Sequence, residues 1–460
     1  MAEKYALTAA QNMHYQWIKS YKTQQVAGLS IAAAFKFDLD FEILKKCLML
    51  EAERYGCLRL RFTKPDKNGE IQQYLAALDD EPEFADLSGG SMEDADRIMQ
   101  SWAYITFDGD DIPMTEFKLV KLPDGFRGFF AHIDHRLIDS VGVAVMVGDV
   151  MQLYAYYAFG AEYPAELADF EKVLKSDLDK AANPRRLAKA KKLWDEDLDL
   201  NGEPLYSDIQ GRSVLEEARK RHGDPDLRCA DIERKQLFVA VKDYKLEAES
   251  ARQVMDFCMQ RQISPTNLLL LVLRTYLSMV NERQEDITVE NFISRRSTTD
   301  EQTSGGSRTI CFPCRTVILG DTTFLDAAKK IQNVQNRIYM NGGYDPELIR
   351  AEMKRRYNTP DDTTYVSCYL TYQPPLPLSG NPKLKQIPIR VKWFANGAAT
   401  KKMYLTVSHL PDGQLNFSYH YQTVCLEEKD MEVLYYFMMR ILFRGIEDPS
   451  RTLDEIMDMV

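Results

Sequence analysis

Histidine is scarce in this chain of 460 residues, so a mechanism built on one has only six candidates: His14, His132, His135, His222, His409 and His420. Cysteine is thinly spread as well. The eight cysteines lack the density of a secreted disulfide scaffold, and reduced thiols in a cytoplasm are the expectation. The one CxxC, Cys311 to Cys314, encloses Phe312 and Pro313 and has no second pair, so it reads as two semi-buried thiols and no metal site is expected. Long apolar runs are missing too. Leu153–Phe159 and Leu268–Leu273 are far too short to cross a bilayer. The opening MAEKYALTAAQNMHYQW has no basic start followed by a sustained apolar stretch, so nothing there resembles a signal sequence. HExxH, Walker-type, GxSxG and dinucleotide-binding motifs are absent, and the zinc-protease, nucleotide and hydrolase readings lack support. An excess of 69 acidic over 58 basic residues, net charge -11, argues against nucleic acid or an anionic membrane as the main partner.

What is present is the composition of a globular protein, 45% hydrophobic and 28% charged. A chain of this length exceeds what one hydrophobic core accommodates, so two lobes are expected. Leu7, Met13, Trp17, Ile18 and Tyr21 follow a helical spacing over residues 5–22, with Thr8 as a cap. LSIAAAFKFDLD reads as a strand, Phe41–Tyr55 as a helix, Arg59–Phe62 as a strand, and the acidic stretch Asp79–Asp96 as loop and helix start. Met114–Val120 and Gly128–Ile133 form a hairpin around Pro123, Asp124 and Gly125, and Val141–Phe159 reads as a buried helix. From Leu167 to Lys235 the sequence turns highly charged, which suits surface helices or a crossing linker. The boundary is placed there, giving lobes of residues 1–185 and 186–460. The second half repeats the alternation, with helices over Glu247–Arg261, Pro265–Asn281 and Glu427–Arg444. Its strands are Gln236–Val241, Ile287–Ile293, Thr309–Leu319, Tyr365–Tyr372, Ile387–Phe394, Tyr404–Leu410 and Gln414–Tyr421.

The chemistry concentrates in AHIDHRLIDSVG, where a strand gives way to a helix. Such a junction exposes a side chain and aims helix-start N–H groups at developing negative charge. An imidazole there, with an ordinary pKa of about 6.5, takes the proton of an amine or hydroxyl attacking a carbonyl. His135 is the candidate base. Asp139 accepts hydrogen bonds or pairs with an arginine and holds the turn in shape. The alternative is that His132 and His135 are satisfied polar groups in a turn. His14, on the first helix, and His222, His409 and His420 read as structural.

Order and spacing then carry a resemblance. TAAQNMHY resembles the opening motif S-x-A-Q-x-x-x-[WY] of the condensation domains of nonribosomal peptide synthetases, and RYGCLRLRF the following R-H-E-x-L-R-T-x-F. AHIDHRLIDSVGV resembles the active-site motif H-H-x-x-x-D-G, placing His135 at the second histidine and Asp139 at the aspartate. DITVENFISRRS, RTICFPCRTVI, YVSCYLTYQ and the C-terminal LNFSYHYQTVCLEEKDMEVLYYFMMRIL match later segments in order. The resemblance covers nearly the whole chain. It implies an α/β fold of two chloramphenicol acetyltransferase-like lobes in a V, with an active-site tunnel between them and His135 midway along it. It also implies that Asp139 pairs with Arg296, the neighbouring alternative being Arg295.

Three departures stand beside it. Asp134 replaces the first motif histidine and Ser140 the motif glycine, and the later N-Q-D and R-D-x-S-R-N-P motifs are not recognisable. Asp134 is expected to lend His135 a negative charge that favours its protonated form. Ser140 adds a Cβ and a hydroxyl where glycine had neither. The reaction implied is acyl transfer from a thioester to an amine by a freestanding enzyme of secondary metabolism, with no permanently bound cofactor. The donor is a phosphopantetheine thioester on a carrier protein supplied in trans, or a coenzyme A thioester, and the acceptor is a small molecule. Esterification of a hydroxyl is one rival. A non-catalytic domain that binds a carrier protein or partner enzyme is the other. Arg185, Arg186, Lys189, Lys191 and Lys192 offer a patch for an acidic carrier, or a solvated helix face.

Overall fold

The computed structural model describes residues 2–78, 80–374 and 387–460. Contacts divide it into two α/β units, each an open sheet with helices. One unit is Met1–Asn183 with Ser294–Thr309 and Leu376–Ala398, and the other is Pro184–Ile293 with Ile310–Pro375 and Ala399–Val460. The single cut expected at residue 185 keeps everything after it in one lobe. The structure instead returns two later segments to the first unit, because the strand Ile389–Phe394 pairs with the first unit's sheet and Ser294–Thr309 carries arginines to its buried aspartates.

The first unit runs α1 (Ala9–Tyr21), β1 (Gly28–Phe35), α2 (Phe41–Arg54), β2 (Leu60–Phe62), β3 (Gln73–Leu75), β4 (Glu83–Asp86), α3 (Met92–Ala103), β5 (Thr115–Lys121), β6 (Arg127–Asp134), α4 (Ser140–Phe159) and α5 (Phe170–Ala181). Its five-stranded sheet has the order Ile389–Phe394, β1, β6, β5, β4. All neighbours are antiparallel except β4 and β5. Side chains alternate faces along a strand. Ile31, Ala33 and Phe35 of β1, with Phe129, Ala131 and Ile133 of β6, join the core beneath α2 and α4, while Ala32, Ala34 and Phe130 join a smaller core with Met99 of α3. Burial on both faces explains why LSIAAAF shows no polar alternation. The acidic stretch from Asp79 contains the short strand β4, which its charge concealed, and Ser91, which caps α3. Asp79 itself lies outside the described residues.

α4 is 20 residues with a mean hydropathy of 1.2, long and apolar enough by length and composition to cross a membrane. One face of it is nonetheless core: Val143, Met146, Val147, Val150 and Leu153 pack with Leu44, Cys47 and Leu48 of α2. Between the same two helices Glu51 faces Asp149, and Arg54 donates to Asp149 at 2.9 Å. Burial, reinforced by the Asp149 charge, pushes the Glu51 carboxyl well above the usual carboxylate range. A carboxyl raised on folding contributes fully below its unfolded value of about 4.3 and loses that contribution as pH rises through the folded value. Glu51→Gln is therefore expected to melt progressively higher than the parent as pH rises, with the gap closing in acid. Parallel melting curves from pH 5 to 9 check this.

The second unit's six-stranded sheet has the order Thr309–Val317, Asp286–Ser294, Cys368–Gln373, Met403–His409, Leu415–Gln422, Val239–Leu246. Helix Pro265–Val280 is buried on nearly every side, as its apolar run requires. The stretch 320–362, where the sequence pattern marked no elements, holds the helices Phe324–Met340 and Pro346–Tyr357, capped by Thr323 and Asp345.

Candidate active site

β6 ends at Asp134 and α4 begins at Ser140, so AHIDHRLIDSVG spans the strand end, a turn and the helix start. The His132 ring is buried and stacked on Phe107, with centroids 4.7 Å apart. Its Nε2 lies 2.9 Å from the Ile105 carbonyl oxygen and its Nδ1 2.7 Å from Ser30 Oγ. A carbonyl only accepts, so Nε2 carries the proton and the serine hydroxyl donates to Nδ1. Burial holds this ring below the usual histidine range, which keeps it neutral with both nitrogens occupied. His132 is a scaffold residue.

The Asp134 carboxylate does not serve His135 as expected. Arg136 Nε and Nη2 donate to its two oxygens at 2.9 and 2.8 Å, and the Arg136 N–H adds a third bond at 2.8 Å. Both side chains are buried, and the guanidinium also covers the Phe62 ring at 4.3 Å. The charge available to His135 from Asp134 is thus neutralised by the next residue but one.

His135 is half-buried, and its N–H donates to the Ala27 carbonyl at 2.7 Å. Its Nδ1 is enclosed and has no hydrogen-bond partner among the described residues. α1 supplies the surroundings. Thr8 and Gln11 form a reciprocal capping box, and the Gln11 amide donates to the Arg136 carbonyl at 3.2 Å and to Gln73 at 2.6 Å. His14, one helical turn later on the same face, stacks on His135 with centroids 4.3 Å apart and ring planes at 23°. From sequence His14 reads as merely structural, because helical periodicity marks a buried face but not what that face meets.

Asp139 is the N-cap of α4, and its carboxylate accepts six hydrogen bonds among the described residues. Oδ1 takes the Gly142 N–H at 3.0 Å and Arg296 Nη2 at 2.7 Å; Oδ2 takes Arg296 Nη1 at 2.7 Å, the Arg308 N–H at 2.9 Å, and the Thr309 N–H and hydroxyl at 3.0 and 2.9 Å. Burial alone would raise this carboxyl; the Arg296 charge and the donors outweigh it and hold it at about 2. The structure brings Asp139 and Arg296 together and sends none of these contacts to His135. Arg295 makes no hydrogen bond to Asp139 among the described residues; its guanidinium feels the charges of Asp177, Glu301 and Arg308 instead. Arg308 in turn binds Asp177 of α5 at 3.0 Å and Glu301 at 3.4 Å. These partners lie far apart in sequence, and nothing local announced them.

The turn is closely fitted. A Cβ on Gly142 would meet Ile138 at 2.6 Å, and one on Gly305, whose φ of +78° already favours glycine, would meet Cys57 Sγ at 2.5 Å. Ser140 is the first helical residue and is not among the residues with positive φ, so its Cβ sits there without strain. The Gly142 N–H is committed to Asp139, so that donor faces an internal carboxylate and not a substrate oxygen. Elsewhere, Cys311 and Cys314 are fully buried; burial pushes the Cys314 thiol up to about 12 and Cys311 above its ordinary range, so neither serves as a thiolate. Lys191 and Lys192, on the helix Pro184–Asn201, pair with Asp195 and Glu196 one turn on.

A family model described as the condensation domain matches residues 1–459. Surfactin synthase subunit 1 of Bacillus subtilis (strain 168) is 20% identical over 98% of this chain, and a plipastatin synthase from the same organism is 18% identical over 98%. The chain spans only 12% and 17% of the lengths of those two proteins. Among solved structures, the first condensation domain of the calcium-dependent antibiotic synthetase, in complex with a substrate analogue, superposes with a TM-score of 0.78 at 15% identity, covering 98% of each chain. The starter condensation domain of rhizomide synthetase, in complex with an acyl-CoA, gives 0.80 at 14% identity over 98% of this chain and 96% of that one. VibH, a condensation enzyme of nonribosomal peptide synthesis, gives 0.74 at 14% over 96% and 99%.

Proposed function

The chain belongs to the condensation-domain family, and on that premise we propose that it transfers an acyl group from a thioester to an amine, with His135 handling the acceptor's proton. The observation that carries the reading is the His135 ring itself: it stands at the end of β6 with Nδ1 enclosed and Nε2 free of partners among the described residues, behind a cap fixed by Asp139 and Arg296. The acceptor nitrogen attacks the thioester carbonyl carbon as Nε2 takes its proton. The C–N bond forms, the C–S bond breaks, and the thiolate leaves with the proton that His135 returns. Neither Asp134 nor Asp139 is free to act as a second base, since both are bound to arginines.

A phosphopantetheine thioester on a carrier protein and a coenzyme A thioester present the same reacting group. The rhizomide synthetase starter domain has been solved with an acyl-CoA and, in another complex, with an acyl-CoA and an aminoacyl thioester. The test is product analysis by mass spectrometry after incubation with a panel of acyl-CoA and acyl-carrier donors and mixed amine and alcohol acceptors. An amide is the expected product, and the donor that yields it identifies the partner. An ester alone would move the acceptor class to alcohols. Tight binding of a carrier without product from any pair would replace the enzyme with a recruitment domain.

A further inference from the structure

His14 and His135 are the same residue type in two environments. His14 is only 3% exposed and lies edge-on to Trp17, with centroids 5.1 Å apart at 83°. Both of its ring nitrogens are enclosed and have no hydrogen-bond partner among the described residues. Burying an imidazole without partners is unfavourable relative to a leucine or methionine of similar size, because two polar atoms lose water and gain nothing. A helix face packed on a core would ordinarily carry such an apolar side chain. Here the polar ring lies face to face with His135.

The orientation of His135 needs a source. A histidine acting as a base is commonly held by a carboxylate or carbonyl at its other ring nitrogen. The His135 Nδ1 has no such partner among the described residues, Asp134 is bound by Arg136, and Asp139 is bound by Arg296. The aromatic plane stacked on the ring is that of His14. Resting on the reading that His135 moves the acceptor's proton, we infer that His14 is a positioning residue: its ring, stacked on His135, sets the plane in which Nε2 meets the acceptor. The charges around the pair agree with this division of roles. Burial first, then His135 and Arg136, keep His14 well below the usual histidine range, with Asp139 opposing them. His14 therefore stays neutral, and a proton taken by His135 comes to lie over an uncharged aromatic face, a favourable arrangement for a cation.

Three variants test this: His14→Phe keeps a flat ring without nitrogens, whereas His14→Leu and His14→Met keep apolar volume without the ring. All occupy a site with no hydrogen bond to lose. His14→Phe is expected to retain kcat within about threefold, because the stacking plane survives. His14→Leu and His14→Met are expected to lose kcat by about ten- to a hundredfold with KM little changed, as a misaligned reacting group would. Native melting behaviour identifies which of the two apolar variants to compare. Equal kcat in the parent and an apolar variant would overturn the inference, as would a phenylalanine variant no better than leucine. His135→Ala runs beside them. If it is inactive while His14→Leu keeps the parent's kcat, only the role of His14 falls. If His135→Ala turns over like the parent, the reading of His135 falls and the inference with it.

Discussion

His135→Ala is expected to reduce amide formation by about 10²–10⁴-fold, the usual contribution of a positioned general base. No neighbouring group among the described residues is placed to take over. His132 has both nitrogens hydrogen-bonded, His14 is enclosed, and Asp134 and Asp139 are held by arginines. The substitution removes a half-buried ring whose nitrogens make no hydrogen bond among the described residues, so the fold loses about 1 kcal/mol of stacking and part of one ring's burial but no buried polar pairing. Activity and melting temperature measured on the same preparation should therefore separate, activity collapsing while melting stays near the parent's.

Asp139→Ala is expected to act in the opposite order, with stability falling first and activity with it. The carboxylate is the N-cap of α4 and the anionic partner of a guanidinium whose side chain is 4% exposed. Removing one member of a buried pair leaves the other uncompensated, at a cost of about 3–5 kcal/mol. For a unit of this size that corresponds to a fall in melting temperature on the order of 10 °C. Arg296→Ala should cost a similar amount, and the double variant less than the two together, because the second removal relieves the charge left by the first. The pH dependence has a definite sign. The Asp139 carboxyl is depressed to about 2 in the folded protein against an ordinary 3.8, so its contribution is complete above about pH 4 and is lost as pH falls toward 2. Two units correspond to roughly 2–3 kcal/mol. A variant that melts like the parent yet has lost activity would instead give Asp139 a direct part in the chemistry.

Local pattern reveals what depends on neighbouring residues. Thr8 as a cap, the hairpin of β5 and β6, the apolar length of α4 and the strand-to-helix position of His135 and Asp139 all follow from spacing along one segment. Pairing across the chain does not show. Ile389–Phe394 reads as a strand from its own residues, but nothing in it names β1 as its partner, so a cut at residue 185 puts it in the wrong unit. Arg308 and Asp177 each look like surface charges in a charged stretch, and only the fold buries them together. Asp134 shows the same limit at short range: its charge is visible, but the bend that returns Arg136 onto it is not. The stack of His14 on His135 joins α1 to the end of β6, an encounter that no periodicity encodes.

On the proposed reading, His135 carries acyl transfer to an amine. Its most direct test is mass-spectrometric product yield from the best donor and acceptor of the panel, measured for the parent and for His135→Ala at matched concentration and with matched melting curves. We expect an amide from the parent and a yield at least about a hundredfold lower from a folded His135→Ala. Equal yields from the two proteins would contradict it and place the chemistry elsewhere in the molecule.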